Sequence, residues 1–187
     1  MNCVVICCDT FRYDMIGHDV VSTPNLDRLV REGVRFTNAF GEGLPTIQAR
    51  RTMFTGIRSF PWRFEMGSRG LWPVIPGWHR IPEEQDTLAE RLIEKGVITG
   101  LVGDTYHMFK STQNFTRGFC SWRFIRGQET DNVRSGPLSA VDVSPHLPDG
   151  QNDLKRNRGL TQYLLNMLDR KTEEDYLTPR LFRAACK

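Results

Sequence analysis

The sequence contains no apolar run long enough to cross a membrane and no pair of cysteines at zinc-ligand or redox spacing. Its basic residues are scattered, and the net charge is only +3, without a polybasic tail or stripe. These absences argue against a membrane anchor, a structural zinc site and a nucleic-acid-binding surface. We therefore expect no membrane and no nucleic-acid partner, and the sequence leaves the oligomeric state open.

Cysteine is also scarce, and three of the five cysteines (Cys3, Cys7 and Cys8) fall in one apolar run, residues 2–8. We predict that this run is a buried strand, in which thiols pack as small apolar side chains. Unpaired thiols and the lack of a leader peptide predict a cytoplasmic location. The 187 residues, 39% of them hydrophobic, suffice for one globular domain.

The sequence of the first part of the chain predicts alternating strands and helices. The run at residues 2–8 is followed directly by Asp9, and residues 22–33 have a cap, an early proline and a terminal glycine. Residues 34–40 then predict a second short strand or an extended segment. This alternation indicates an α/β fold, in which ligands bind beyond the carboxyl ends of parallel strands, where Asp9 would lie.

A second helix-to-strand step follows further along the chain. Residues 86–96 predict a helix capped by Asp86, and residues 97–103 predict a strand. Asp104 and His107 come directly after that strand. If the sheet is mainly parallel, they lie at the same edge as Asp9.

The remaining segments carry weaker signals. Residues 60–82 predict a long loop, which could line a substrate mouth or simply cross the surface. Residues 114–125 predict an aromatic packing stretch, and residues 127–153 a loop. Two further helices are predicted at 154–168 and 173–186, the second with Pro179 in its first turn or at a kink.

A short helix from about Thr46 to Gly56 contains the strongest functional signal. Pro45 suits the start of a helix, and Arg50 lies one turn after Thr46 on the same face. A hydroxyl and a guanidinium beside a helix N-terminus suit a phosphate or sulfate ester. The alternative is an N-cap threonine with a solvated arginine, and in either case Ile47, Met53 and Phe54 would face the core.

Three blocks of this chain, taken in order, resemble the N-terminal part of the sulfatase family of the alkaline-phosphatase-like superfamily. Residues 23–29 (TPNLDRL) and 33–39 (GVRFTNA) match two family blocks residue for residue, and Thr55 and Gly56 fix the register of the third. The resemblance implies an α/β fold with a mainly parallel sheet flanked by helices. Residues 1–187 would then be a truncated, N-terminal portion of a single sulfatase-like domain.

The chain departs from the family pattern at informative positions. Thr46 stands where the family has the cysteine or serine that is oxidised to formylglycine, and Gln48 and Ala49 replace the signature proline and serine. Arg50 is retained. Thr10 replaces the second aspartate of the family's opening pair, which leaves Asp9. The sequence therefore resembles a threonine-bearing subgroup, in which the threonine itself would be the nucleophile.

The resemblance also implies roles for these residues. Asp9 and the Thr46 oxygen would hold a divalent cation, with Thr10 at the position of the missing acidic ligand; Ca²⁺ is expected from the resemblance, and Mg²⁺ or Mn²⁺ also suit oxygen ligands. Arg50 would bind the ester oxygens, and His107 would donate a proton to the leaving group. Asp104 could orient that histidine, contact the metal or cap a helix.

Three functions remain open from the sequence. The first is hydrolysis of a small-molecule sulfuric ester, and the second is metal-dependent hydrolysis of a phosphate or phosphonate ester. The third is a non-catalytic truncated fragment, because nothing in the 187 residues matches the family's downstream Asp-His-Gly element. The natural substrate cannot be read from these residues.

Overall fold

The computed structural model describes residues 2–58, 76–147 and 158–187. In chain order these residues form α1 (Pro24–Glu32), α2 (Thr46–Thr55), α3 (Leu88–Ile93), β1 (Gly100–Gly103), β2 (Ser121–Phe124), α4 (Arg158–Met167) and α5 (Leu177–Ala185). Short 3₁₀ turns lie at Tyr13–Met15, Leu138–Ala140, Ser144–His146 and Glu173–Asp175. The sequence predicted all five helices, although several of their boundaries shift by a few residues.

β1 and β2 form a two-stranded parallel sheet, in which Gly100 pairs with Ser121 and Gly103 pairs with Phe124. Both strands therefore end at the same edge. The sequence predicted β1 three residues too long at its start, and it predicted β2 only as an aromatic packing stretch. Packing confirms the aromatic character, because the Phe124 ring stacks on Phe109 with centroids 4.5 Å apart.

The prediction of a buried strand at residues 2–8 is wrong. These residues have no strand conformation, and all three of their cysteines are exposed. Residues 34–40, predicted as a short strand or an extended segment, are likewise not a strand. A strand needs a hydrogen-bonded neighbour, and within the described residues the only strand pair is β1 with β2. The parallel sheet is therefore small in this part of the chain.

The core lies between α2 and the segments on either side of β1. Its buried members are Ile47, Trp78, Ile81, Met108 and Phe115, with Phe54, Leu101 and Phe109 packed against them. Of the residues of α2 predicted to face the core, Ile47 and Phe54 do so, whereas Met53 is 42% exposed. The core therefore anchors α2 along one side.

The cap of one helix differs from prediction. The cap of α3 is Thr87, not Asp86: the Thr87 hydroxyl accepts from the Glu90 amide, and the Glu90 carboxylate accepts from the Thr87 amide. In α4, Thr161 and Leu165 are the buried positions. Their spacing of four residues defines the face that packs inward.

Two segments of the C-terminal half agree with prediction. α5 has Pro179 in its first turn, as predicted. Residues 127–147 form a loop with two 3₁₀ turns, which confirms the predicted loop over that range. Most of the predicted long loop at 60–82 lies outside the described residues. No helix in the described ranges is both long and apolar enough to span a bilayer.

Candidate active site

Thr46 is the first residue of α2, and it lies partly buried at the start of that helix. The N-cap is Pro45, and no side-chain hydrogen bond caps the helix among the described residues. Thr46 is thus inside the helix and is not the N-cap threonine of the alternative interpretation. The first amides of an α-helix have no partner within the helix, and those of α2 lie beside Thr46, where an anion can bind.

Arg50 is partly buried and does not extend freely into solvent. Its Nη1 lies 2.7 Å from the Cys7 sulfur. The same nitrogen lies 3.8 Å from the sulfur of Met53. Because Cys7 precedes Asp9 by two residues, this contact places the N-terminal segment beside the helix that carries Thr46.

Asp104 follows β1 directly, and charged groups from two other segments affect the pKa of its carboxyl. Burial is the main reason why its pKa is raised, and the negative charge of Asp9 raises it further, whereas Arg50 lowers it. Asp104 thus lies within electrostatic range of both Asp9 and Arg50. That groups from the N-terminal segment, α2 and the end of β1 share one site stays a prediction.

His107 is buried close to the same strand end, with only 5% of the residue exposed. Its ring contacts the rings of Tyr106 and Trp78, at centroid distances of 3.9 and 4.8 Å. Its Nε2 lies 3.5 Å from Oε2 of Glu129, and its Nδ1 is enclosed with no hydrogen-bond partner among the described residues. A buried nitrogen without a partner costs about 1–3 kcal/mol, so its place here calls for an explanation, of which a catalytic role is one.

Glu129 was not predicted from the sequence. It lies in the loop after β2, and the hydrogen bond from His107 is the main reason why the pKa of its carboxyl is lowered. Only a correct prediction of β2 could have pointed to it, since β2 ends at the same sheet edge as β1.

Arg51 is a second residue that sequence reasoning passed over. It is buried, and its Nη1 donates to the carbonyls of Gly77 and His79, each at 3.0 Å. The neighbouring Gln48 donates to the carbonyl of Pro76 at 2.8 Å. These bonds attach α2 to the segment that follows residue 75, so they fix the helix that positions Thr46 and Arg50.

The predicted metal ligands do not form a complete cation site in this part of the chain. Asp9, Thr10 and Thr46 offer one carboxylate and two hydroxyls, and Asp9 and Thr10 are exposed. Among the described residues, no three His, Cys, Asp or Glu side chains cluster so that they could hold a metal ion. Ca²⁺ takes six to eight oxygen ligands in proteins, so these residues alone do not fit it.

Comparison with known proteins supplies the context for this arrangement. The family model described as Sulfatase matches residues 1–181. An N-acetylgalactosamine-6-O-sulfatase of Bacteroides thetaiotaomicron is 36% identical over 89 residues, which cover 46% of this chain and 16% of that protein. Arylsulfatase H of Canis lupus familiaris is 38% identical over 93 residues, covering 46% and 16% respectively.

Human arylsulfatase A is 34% identical over 105 residues, which cover 54% of this chain and 20% of that protein. The aligned part therefore spans a fifth or less of the length of these curated relatives. No solved structure matches the chain significantly. The family match covers nearly the whole sequence, and the parallel sheet flanked by helices agrees with it: the chain belongs to the sulfatase family, with its alkaline-phosphatase-like fold.

Proposed function

We propose that residues 1–187 form the N-terminal portion of a sulfatase-like domain that hydrolyses sulfuric esters, with Thr46 as nucleophile in place of formylglycine. The observation that carries this proposal is the position of Thr46 at the uncapped N-terminus of α2, one turn before Arg50. The sulfatase names of the relatives support the reaction class.

Each group at the site has a chemical task in this proposal. The Thr46 oxygen attacks the ester centre in line, the bond from that centre to the departing oxygen breaks, and water then hydrolyses the covalent intermediate on Thr46. Arg50 and the first amides of α2 bind the charged non-bridging oxygens. His107, at the carboxyl end of β1, donates a proton to the departing oxygen.

The proposed site would hold a divalent cation, for which these residues supply only part of the ligand set. Ca²⁺ is the ion we expect from the family, and Asp9 is the one carboxylate in the predicted ligand set. Because the described residues do not complete a cation site, no step is assigned to the ion here. A cytoplasmic location likewise remains a prediction.

Hydrolysis of a phosphate or phosphonate ester is the second candidate, and the identity of residue 46 favours it. Threonine cannot be converted to formylglycine by the family's route. A sulfo-threonine would then need a difficult second attack at sulfur, whereas a phospho-threonine would be hydrolysed by attack of water at phosphorus.

The two candidates can be separated by trapping the intermediate. The complete protein is incubated with 4-nitrophenyl sulfate or 4-nitrophenyl phosphate, quenched in acid, and analysed by accurate-mass peptide sequencing. We expect a sulfo or phospho group on Thr46, and none in the Thr46→Ala variant, while Thr52→Ala is labelled like wild type. Turnover accompanied by a covalent group on another residue, or by none, would contradict the nucleophilic role.

A further inference from the structure

We propose that a cavity between the end of α4 and α5 binds the oxyanion of a small acidic ligand, a sulfated or phosphorylated sugar, through Arg170 and Arg180. The cavity has a volume of about 520 Å³, within the roughly 300–1,000 Å³ of small-molecule sites. None of the described residues that line it was predicted as a site residue. The proposal therefore adds a binding function that does not depend on the hydrolysis proposed above.

The lining of this cavity is polar and charged. Among the described residues that line it, Val133 alone has an apolar side chain. An apolar ligand would desolvate the charged groups without giving them partners, which is costly. The lining includes three carboxylates and a larger number of guanidinium groups, those of Arg134, Arg170, Arg180 and Arg183. The excess of positive charge favours a ligand that is an anion.

Two of the arginines are already neutralised by carboxylates of the same cavity. Arg134 forms an ion pair with Asp169, and Arg183 forms one with Glu174. The side chains of Asp169 and Glu174 nevertheless remain 79% and 70% exposed. A carboxylate has about four acceptor positions, so those that the ion pairs leave open can accept hydrogen bonds from hydroxyl groups. Acceptors for hydroxyls beside a site for an oxyanion suit a sugar that carries an acidic group.

The third carboxylate, that of Asp175, holds the turn before α5. Its Oδ2 accepts hydrogen bonds from the Lys171 amide at 3.0 Å and from the amide and hydroxyl of Thr172 at 2.9 and 3.0 Å. The hydrogen bond from the Thr172 amide is the largest cause of the lowered pKa of Asp175, and the charge of Arg180 is the smallest. Asp175 therefore does not neutralise Arg180.

Arg170 and Arg180 are thus the cavity's arginines without an ion pair in the described part of the chain. Arg170 is held in place, because its Nη2 donates to the Gly127 carbonyl at 2.8 Å and its guanidinium carbon lies 5.5 Å from the centre of the Tyr176 ring. A guanidinium fixed in this way keeps other N–H donors for an oxyanion and loses little conformational entropy on binding. Arg180 lines the cavity from α5, so a ligand of sugar size can meet both groups.

NMR titration of the ¹⁵N-labelled 187-residue chain measures this binding directly. The probes are glucose 6-sulfate, glucose 6-phosphate and glucose. We expect saturable shifts of the Arg170 and Arg180 resonances with both esters, with a Kd in the millimolar range or tighter, and binding of glucose at least about tenfold weaker because it has no oxyanion. The tighter of the two esters shows which oxyanion the cavity takes.

Exposed Arg180 is the residue to change first, because its substitution removes no hydrogen bond of the fold. Arg180→Gln should weaken binding of glucose 6-sulfate about tenfold. Arg180→Lys, which keeps the charge but loses the fork of donors, should show an intermediate loss. Arg28→Gln, at an exposed arginine of α1, removes the same charge outside the cavity and is the matched control.

Arg170→Gln should weaken binding to a similar extent, and the amide spectrum of the unliganded variant shows whether its fold is intact after loss of the bond to Gly127. Three results would overturn the proposal: equal weakening in Arg180→Gln and Arg28→Gln, unchanged affinity in Arg180→Gln, or ester-induced shifts confined to residues outside the cavity. Failure of the proposed hydrolysis is distinguishable, since a complete protein in which Thr46→Ala keeps its rate would still bind the esters in this cavity.

Discussion

Two adjacent arginines of α2 show how neighbouring residues can serve different purposes. Arg51 is buried and satisfies two carbonyl oxygens of the segment after residue 75, whereas Arg50 points to the candidate site and the Cys7 sulfur. We predict that Arg51→Met lowers the free energy of unfolding by roughly 2–3 kcal/mol, because it leaves the carbonyls of Gly77 and His79 unpaired in the interior.

Arg50→Met is the matched control, because it removes the same group from the next position of the same helix. We expect it to change the free energy of unfolding by no more than about 0.5 kcal/mol. Urea unfolding followed by tryptophan fluorescence measures both. Equal losses of unfolding free energy in the two variants would contradict the assignment of a structural role to Arg51 and a role in the candidate site to Arg50.

Asp104 provides a second prediction for a single residue. Burial, and then the charge of Asp9, raise the pKa of its carboxyl, so its ionised form destabilises the folded state relative to the unfolded state. Asp104→Asn should therefore raise the urea midpoint at pH 7. The gain should shrink as the pH falls to about 4 and below, where the wild-type carboxyl becomes protonated. A gain that is the same at both pH values would show that charge is not the cause.

Sequence reasoning found some of these residues and missed others for physical reasons. Thr46 and Arg50 lie on one helix at local spacing, so proline, threonine and helix geometry sufficed to pair them. Glu129 and Arg51 owe their positions to contacts across 22 or more residues with His107, Gly77 and His79. Local patterns contain no information about such contacts.

At the scale of secondary-structure elements, α3 allows a test of which residue caps its N-terminus. Thr87 forms a reciprocal capping box with Glu90, although the sequence pattern favoured Asp86. We predict that Thr87→Ala lowers the free energy of unfolding by about 1 kcal/mol or slightly more, because its buried hydroxyl satisfies an amide of the first turn.

Asp86→Ala is the control for that prediction. Asp86 forms an exposed ion pair with Arg91, a type of contact that contributes about 0.2–1 kcal/mol at most. Thermal or urea unfolding of the two variants gives the comparison. A larger loss for Asp86→Ala than for Thr87→Ala would show that the helix starts one residue earlier than described.

Helices were more predictable than strands because their signals are local. α2 begins at Thr46, and its C-terminal Gly56 has a φ of +68°, which glycine readily adopts. By contrast, a strand depends on a partner distant in sequence. Residues 2–8 have the composition of a buried strand, yet Val4 is 82% exposed, because no described strand pairs with them.

At the scale of the whole molecule, the part of the chain that aligns with its curated relatives covers a fifth or less of their length. Its predicted ligand set holds one carboxylate, and no described cluster could hold a metal. We therefore predict that the purified 187-residue chain binds Ca²⁺ only weakly, in the millimolar range or above, as sites with few charged ligands do. It should also hydrolyse aryl sulfates and aryl phosphates little or not at all.

Isothermal titration with Ca²⁺ and initial-rate assays on the isolated chain measure both parts of this prediction. Asp9→Asn serves as the matched variant, because it removes the one carboxylate of the predicted set with little change in size. Micromolar Ca²⁺ binding that Asp9→Asn abolishes, together with turnover that a chelator stops, would show that these residues form a complete site by themselves.

The most direct test of the central claim compares two threonines of α2 in the complete protein. Thr46 lies at the N-terminus of the helix, whereas the Thr52 hydroxyl donates to the carbonyl of Ile57 beyond its other end, at 3.1 Å. Initial rates on aryl sulfate and aryl phosphate, with divalent metal present, should fall by several orders of magnitude in Thr46→Ala and change little in Thr52→Ala. A Thr46→Ala variant that keeps more than about a tenth of the wild-type rate would contradict Thr46 as the nucleophile.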